Sequence, residues 1–449
     1  VKDRGKGWKT LFFMALREPL RFHGVRSPEK ELRKGDKTMS ALEKINVRPS
    51  RCGALIISGV LACLAFLPAP VALTTLTTGQ PTPQKEESMT VREKNIGKAR
   101  KASKEGNFKV AFDIYEQLFT AGQGDSGMQS SDLDDAVTCL QRLNQVNQLD
   151  AFLEKVIAAN PKNWRLLVSA ARHYSQIPHE GFIVAGKFER GPHRGQGRVA
   201  DAFERDRVRA LQILSDILKK PEGESPSWDP GNYYLDFARM ILKGRYGQEE
   251  AWRLQALTDL TKLPDYEEGQ FRRYRGRGGQ TQGAPVDEKG QPVFHYAPKS
   301  WEESKTDGER WRWLMKKAEK AFPSTNTLVP YEYAQFLSRQ FDVQTMADSG
   351  YRFGRAGDDT EKQEGVFALH TLKEDETIAR LATGIKRFPL PDEFNFIRVF
   401  QTIGEAKETG FSVESLTRLG QIFENRRQYD RAAGYWRQVT ERLSASPDD

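Results

Sequence analysis

Along most of the chain the apolar residues return every three or four positions, the period of an amphipathic helix, with little of the alternation that marks a strand. The clearest stretch is "LGQIFENRRQYDRAAGYWRQV", residues 419–439, where Leu419, Gly420, Phe423, Tyr429, Ala432, Trp436 and Val439 fall at fixed steps. Gly420 and Ala432 stand twelve residues apart and are small enough to let two antiparallel helices approach closely. The aromatic residues between and after them fill the groove that such a pair leaves. A second copy runs through Ala99, Ala102, Gly106, Phe108, Ala111, Tyr115 and Leu118. A third, more degenerate, spans Leu133 to Pro161 and closes on "AANPKN". A fourth starts with Trp164, Leu167, Ala171 and Tyr174, but its second helix, with Ala210, Leu214 and Ile217, comes only after an insertion over 178–200. A looser pair follows at 232–263. Helices are predicted again over Asp307–Ala321 and Tyr331–Phe341, and from Glu374, where Ile378, Leu381, Ala382 and Ile385 fall at helical steps. Pro389 and Pro391 break that last helix, and Asp392 then serves as a first-turn acid for "EFNFIRVFQTI".

The Leu-Gly, aromatic, Ala spacing is that of tetratricopeptide helix pairs, which stack because no single pair can cover its own apolar face. The fold class expected is therefore all-α, a tetratricopeptide-like α-solenoid with two long inserted loops, preceded by an N-terminal signal or anchor segment. Its repeat-packing residues are Ala99, Gly106, Phe108, Ala111, Tyr115, Leu419, Gly420, Phe423, Tyr429, Ala432 and Trp436. The division along the chain is an upstream extension without order over 1–38, a signal peptide or membrane anchor over 39–73, and a linker over 74–94. A helical array follows over 95–263, then an inserted loop with a candidate β-hairpin over 264–306, and a second array over 307–443. The linker reading rests on the Thr/Pro/Gln-rich run "TTLTTGQPTPQKEESMT", which has no apolar period.

The leader is the uncharged run "CGALIISGVLACLAFLPAPVAL", residues 52–73, with Arg48 and Arg51 just before it in the positive-inside sense. Three fates stay open for it: cleavage near Ala72, retention as an anchor, or lipid attachment at the "VLAC" window. Either of the first two places the body outside the cytoplasm, in the periplasm or anchored facing it. Charge supports this division. The chain has 69 Lys/Arg and 61 Asp/Glu, of which residues 1–52 hold 14 and 6. Taking those away leaves 55 of each sign, so the exported body is neutral and has no global field for a polyanion. Nucleic acid is excluded as the expected partner on that ground. Cys52 and Cys63 lie in the leader, which leaves Cys139 alone and unable to form an internal disulfide.

The two inserted loops carry what candidate chemistry there is. "GFIVAGKFERGPHRGQGR", residues 181–198, turns from apolar to Gly/Arg-rich and suits a small hairpin. In residues 266–300, "APVDEKGQPVFHY" reads as two extended arms around a Glu-Lys-Gly turn. Arg190, Arg194 and Arg198 in the first loop and Arg272, Arg273, Arg275 and Arg277 in the second offer a cradle for a carboxylate or sulfated glycan. The plainer reading pairs them with acids on neighbouring helices. "FRRYRGRGG" has the look of an Arg/Gly RNA-binding box, but it is one short patch in a neutral body. "RGRGGQ" lacks the strand and helix that a dinucleotide fingerprint requires. The histidines, at 23, 173, 179, 193, 295 and 370, form no zinc spacing, and neither a phosphate-binding loop nor a nucleophile elbow occurs. No catalytic, cofactor or metal residue is therefore assigned. The residues expected to touch a partner are Arg194, Tyr274, Arg275 and His295.

A family likeness is carried by "GKFERGPHRGQGR", "FERDRVRALQIL", "AWRLQALTDLTKLPDYEEG", "GGQTQGAPVDEKGQPVFH", "DGERWRW", "DVQTMA", "HTLKEDETIARLATGIKRFPLPDEFN" and "QIFENRRQYDRAAGYW". Together these resemble the N-terminal helical region of large exported bacterial alpha-2-macroglobulin-like proteins, over roughly residues 95–440. The resemblance implies a helical module whose partners include macroglobulin-type β-domains encoded elsewhere. Many members of the family trap proteases through a Cys-x-Glu-Gln thioester. Here Cys139 is followed by Leu-Gln-Arg, so that activity is not carried over. The expected function is a non-catalytic exported scaffold for protein–protein interaction, with a membrane contact only through a retained leader. A subunit of a macroglobulin-type protease inhibitor and an anion- or glycan-binding scaffold are the two alternatives.

Overall fold

A computed structural model of the protein describes residues 83–121, 130–220, 229–245, 247–248, 250–269, 283–323, 326–344, 368–406 and 410–445. All of them belong to one compact unit, Thr78–Asp449, the other unit being Val1–Thr77. The upstream extension, the leader with Cys52 and Cys63, and Tyr274 and Arg275 lie outside the described residues.

The described fold is mostly helical. α1 (Pro83–Lys104), α2 (Phe108–Thr120), α3 (Ser130–Arg142), α4 (Leu149–Ala159) and α5 (Trp164–Gln176) follow one another with short turns. α1 packs on α2 and α3, α2 on α3 and α4, and α5 on α3 and α4. α5 pairs with α6 (Phe203–Leu218) across the first insertion. α7 (Pro230–Leu242) then pairs with α8 (Asp307–Ala321) across the second. α9 (Leu328–Phe341) packs on α10 (Phe396–Glu405), which continues through α11 (Ser412–Asn425) to α12 (Tyr429–Ala445). One apolar cluster runs without a break from Ala99 to Val439.

Local chemistry sets the helix starts. Asn163 accepts from Leu166 N at 3.2 Å, Thr306 from Glu309 N at 3.1 Å, and Asn395 from Arg398 N at 3.2 Å. Pro230 occupies the first turn of α7, where its missing N–H costs nothing. Small residues do the close packing. Ala99 and Ala111 are fully buried, and a Cβ on Gly420 would stand 2.7 Å from the Trp436 ring. Gly106 turns the chain between α1 and α2 at φ +81°. Tyr115 is fully buried and Phe108 half-buried; Phe423 stacks on Tyr435, not on Tyr429, which is largely exposed.

Four departures from the expected pattern have physical causes. The linker ends early, because α1 already begins at Pro83. The pair at 232–263 is only half helical: α7 is followed by a single 3₁₀ turn, Ala251–Gln255. Asp392 lies in a 3₁₀ turn, Asp392–Phe394, and α10 is started by Asn395 instead. Most plainly, the helix expected from Glu374 is a β-hairpin, labelled here β5 (Glu376–Leu381) and β6 (Gly384–Pro389). The apolar residues at helical steps misled, because Leu381 and Gly384 close a two-residue turn and Gly384 takes φ +121°. The all-α expectation is corrected accordingly to a helical fold with small sheets.

The first insertion does hold a hairpin. β1 (Glu180–Val184) and β2 (Lys187–Arg190) are joined by Ala185 and Gly186, both at positive φ. β3 (Arg198–Asp201) and β4 (Glu267–Glu268) complete an antiparallel sheet in the order β2-β1-β3-β4. In the second insertion Val286 bridges Pro292 around the turn at Gly290, and Ala284 pairs in parallel with Leu381 of β5.

Candidate functional groove

Helices α3, α5, α7 and α9 each carry one polar stripe beside a buried apolar face. The stripes are Asp134, Thr138 and Gln141; Ser169, Arg172 and Gln176; Asp236, Arg239 and Lys243; and Glu332, Gln335 and Arg339. Each occupies steps of three or four residues over two turns, so its members lie on one side of their helix. Lys243 lies just past the end of α7.

The stripes line a run of clefts. One of about 450 Å³ lies between α3 and α5 and includes Asp134, Thr138, Arg172, His173 and Gln176. The next, of about 270 Å³, shares Arg172 and Gln176 and reaches Asp236, Arg239 and Lys243. A third, of about 260 Å³, shares Arg239 and Lys243 and reaches Glu332, Gln335 and Arg339. The shared residues make the three one continuous groove. Beneath the polar stripes lie buried core side chains, Leu214 and Met240 under one cleft and Trp311, Met315 and Phe336 under the other.

Charged pairs cross the groove from helix to helix. His173 Nε2 is 2.8 Å from Asp134 Oδ1, Arg172 Nε donates to Asp236 at 3.0 Å, and Arg239 Nε donates to Glu332 at 3.1 Å. The series extends at both ends, with Arg100 of α1 on Asp132 at 2.7 Å and Arg418 of α11 on Ser338 at 3.0 Å. Burial lowers the His173 imidazole below its ordinary range despite the Asp134 charge, so that contact becomes an ion pair only in acid.

A second class of charge is buried and serves packing. Arg190 of β2 bonds Asp206 through two N–H groups at 2.8 and 2.9 Å and Asp150 at 2.6 and 3.1 Å, while His179 Nδ1 meets Asp206 at 2.7 Å. Arg207 reaches Glu204 at 3.3 Å, Thr258 at 2.8 Å and Asp307 at 3.6 Å, and Arg245 holds Glu204 at 2.7 Å. Burial alone would raise the Glu204 carboxyl, but Arg245 and Arg207 outweigh it and bring it down to about 2. Neither His173 nor His179 is hydrogen-bonded to a hydroxyl or thiol among the described residues. No group of three or more His, Cys, Asp or Glu among them is placed to hold a metal ion. No helix among them is long and apolar enough to cross a membrane.

Of the residues expected to touch a partner, Arg194 is exposed on the first insertion. His295 is 7% exposed and faces inward, beside a cavity of about 10 Å³ lined by Trp311, Phe336 and Gln340. A partner therefore cannot reach its ring without opening the core. Of the arginines expected to form an anion cradle, Arg190 is consumed by Asp206 and Asp150 and Arg198 pairs with Glu268 at 2.6 Å, while Arg272, Arg273, Arg275 and Arg277 lie outside the described residues. The groove residues carry no signal of their own in a single helix, since polar side chains at helical steps are what any solvated face shows. Their signal was present, since Asp236-Arg239-Lys243 and Glu332-Gln335-Arg339 repeat one polar spacing on successive helices. No family model matches the chain, and no curated protein matches it.

Proposed function

We propose that the protein is a non-catalytic scaffold, a tetratricopeptide-like solenoid that holds a protein partner in the groove of α3, α5, α7 and α9. The observation that carries this reading is the run of three adjoining clefts walled by polar side chains of successive helices. An extended peptide presents side chains alternately to two sides and backbone polar groups between them, which suits such a surface. The helices stack through small residues and buried aromatics, and this costs the groove none of its polar side chains. The same proposal includes export, on the strength of the uncharged run Cys52–Leu73, and a relation to the helical region of alpha-2-macroglobulin-like proteins, whose β-domains are then the expected partners.

Site-specific photo-crosslinking in producing cells tests it. A crosslinking residue placed at Gln141, Gln176 or Gln335 should yield one discrete protein adduct. The same residue at Val110, exposed on α2, should yield none. Equal adducts from Val110 would remove the groove from consideration.

A further inference from the structure

We infer that β6 is an open sheet edge that receives an extended strand of a protein partner, and that this strand alternates apolar and acidic side chains. The inference goes beyond the groove and concerns a different face. It starts from the backbone of the β5–β6 hairpin. Leu390 N donates to Asp375 O at 2.6 Å, and the register sets Thr377 against Phe388, Ala379 against Lys386 and Leu381 against Gly384. In an antiparallel pair every second residue turns its N–H and C=O to the partner strand, and the residues between turn theirs away. On β5 the outward groups are occupied, since Ala284 N donates to Arg380 O and Ala382 N donates to Ala284 O. On β6 the outward groups are those of Ile385 and Arg387, and no backbone group among the described residues meets them. An unpaired row of this kind is a template for another extended chain.

The side chains name the strand. Thr377, Ala379 and Leu381 bury one face of the hairpin, while Ile385 and Arg380 stand opposite each other on the other face, and Ile385 is 49% exposed. Pro389 closes the far end of the edge, because it has no N–H to offer. Ile385 does the reverse at the near end, since an added strand would cover it with an apolar neighbour. Charge decides the rest. Arg380, Lys386 and Arg387 stand on the hairpin against Glu376 alone. Arg387 holds Glu376 at 2.7 Å, whereas Lys386 donates to Gly290 O at 2.8 Å and Arg380 makes no ion pair among the described residues. A strand with an apolar side chain beside Ile385 presents its next side chain beside Lys386, where a carboxylate is favoured and a second cation repelled.

A capped seven-residue peptide of alternating valine and glutamate, titrated into the full chain, tests the inference. Hydrogen exchange should show the Ile385 and Arg387 amides fast in the free chain and slowed by the peptide. N-methylation of one alternate set of peptide amides should abolish binding, and N-methylation of the other set should not, because only one edge of the peptide meets β6. Ile385→Pro removes an outward N–H and leaves the β5–β6 bonds in place, so it should weaken binding about tenfold or more with an unchanged thermal melt. The native chain with the methylated peptides carries the test if that variant does not fold. A valine–lysine peptide should bind more weakly than the valine–glutamate one. Equal binding of both methylated forms, unchanged exchange at Ile385 and Arg387, or a preference for the lysine peptide would overturn the inference. So would self-association of the full chain that Ile385→Pro abolishes, which would give the edge to a second copy. None of these results touches crosslinking from Gln141, Gln176 or Gln335, so this inference and the groove reading fail separately.

Discussion

His295 and Gly308 illustrate how far a single position is bound by its surroundings. The imidazole lies on the first turn of α8, and a Cβ on Gly308 would stand 2.1 Å from its Nδ1. Gly308→Ala should therefore destabilise the fold by about 1–3 kcal/mol, the range for forcing volume into a packed core, as urea melts will report. Shortening the partner in the double variant, His295→Ala with Gly308→Ala, should recover part of that loss. Burial also pushes the His295 imidazole down to about 4. In the unfolded chain it titrates near its ordinary value of about 6.5. As pH falls through that interval the unfolded chain takes up a proton that the folded chain refuses, so stability falls and then levels off below about 4. The loss amounts to about 3 kcal/mol. Chemical denaturation at pH 7 and pH 4.5 should show it in the native chain, and His295→Gln should flatten most of it. Glu204 acts in a different window. Its carboxyl is depressed, so its contribution is complete above its ordinary range of about 4.5 and is lost as pH drops toward 2.

At the scale of elements, the hairpin β5–β6 shows where a helical period deceives. Ile378, Leu381, Ala382 and Ile385 satisfy a helix, yet Thr377 and Ile378 are β-branched and Gly384 needs a backbone that only glycine takes easily. What decides is tertiary: Thr377 is fully buried with its hydroxyl on Phe341 O, and Ala284 N donates to Arg380 O at 2.8 Å while Ala382 N donates to Ala284 O at 2.9 Å. Those partners lie far off in sequence, so no local window contains them. Helix pairs such as α11–α12 were legible because their packing rule is local, a Gly and an Ala at a fixed step. The groove was legible only once α5, α7 and α9 had been set side by side. The backbone contact of the second insertion with β5 gives a direct test. A Cβ on Gly283 would stand 2.3 Å from the Leu381 backbone carbon, which cannot swing away as a side chain can. Gly283→Ala should part the 283–296 arm from β5, and hydrogen exchange should quicken at Ala284 and Ala382 while α2 and α3 keep their protection. Unchanged exchange at both amides would contradict the pairing.

Across the whole molecule the charges divide into two populations with opposite energetic consequences. Asp307, Glu204, Arg207 and Arg245 join α6, the strand-poor segment at Thr258 and the start of α8, all with little or no exposure. Removing one member leaves a buried charge without its partner, which costs about 3–5 kcal/mol. The pairs that cross the groove are solvated on at least one side, and exposed pairs contribute about 1 kcal/mol or less. Natural selection on stability alone would thus hold the first set and be nearly indifferent to the second, yet the second recurs as five pairs linking the six odd-numbered helices α1 to α11 in turn. A row of charges that adds little to folding and lines a continuous groove is free to serve a ligand. Asp307→Ala should lower the unfolding free energy by several kcal/mol in urea melts, whereas Arg172→Ala and Arg239→Ala should each change it by less than about 1 kcal/mol. Crosslinking from Gln335 should respond in the reverse order at a temperature where all three variants remain folded: near-native for Asp307→Ala, weakened for Arg172→Ala and Arg239→Ala. If the exposed variants melt as early as Asp307→Ala, the groove charges are structural after all, and the division drawn between the two populations fails.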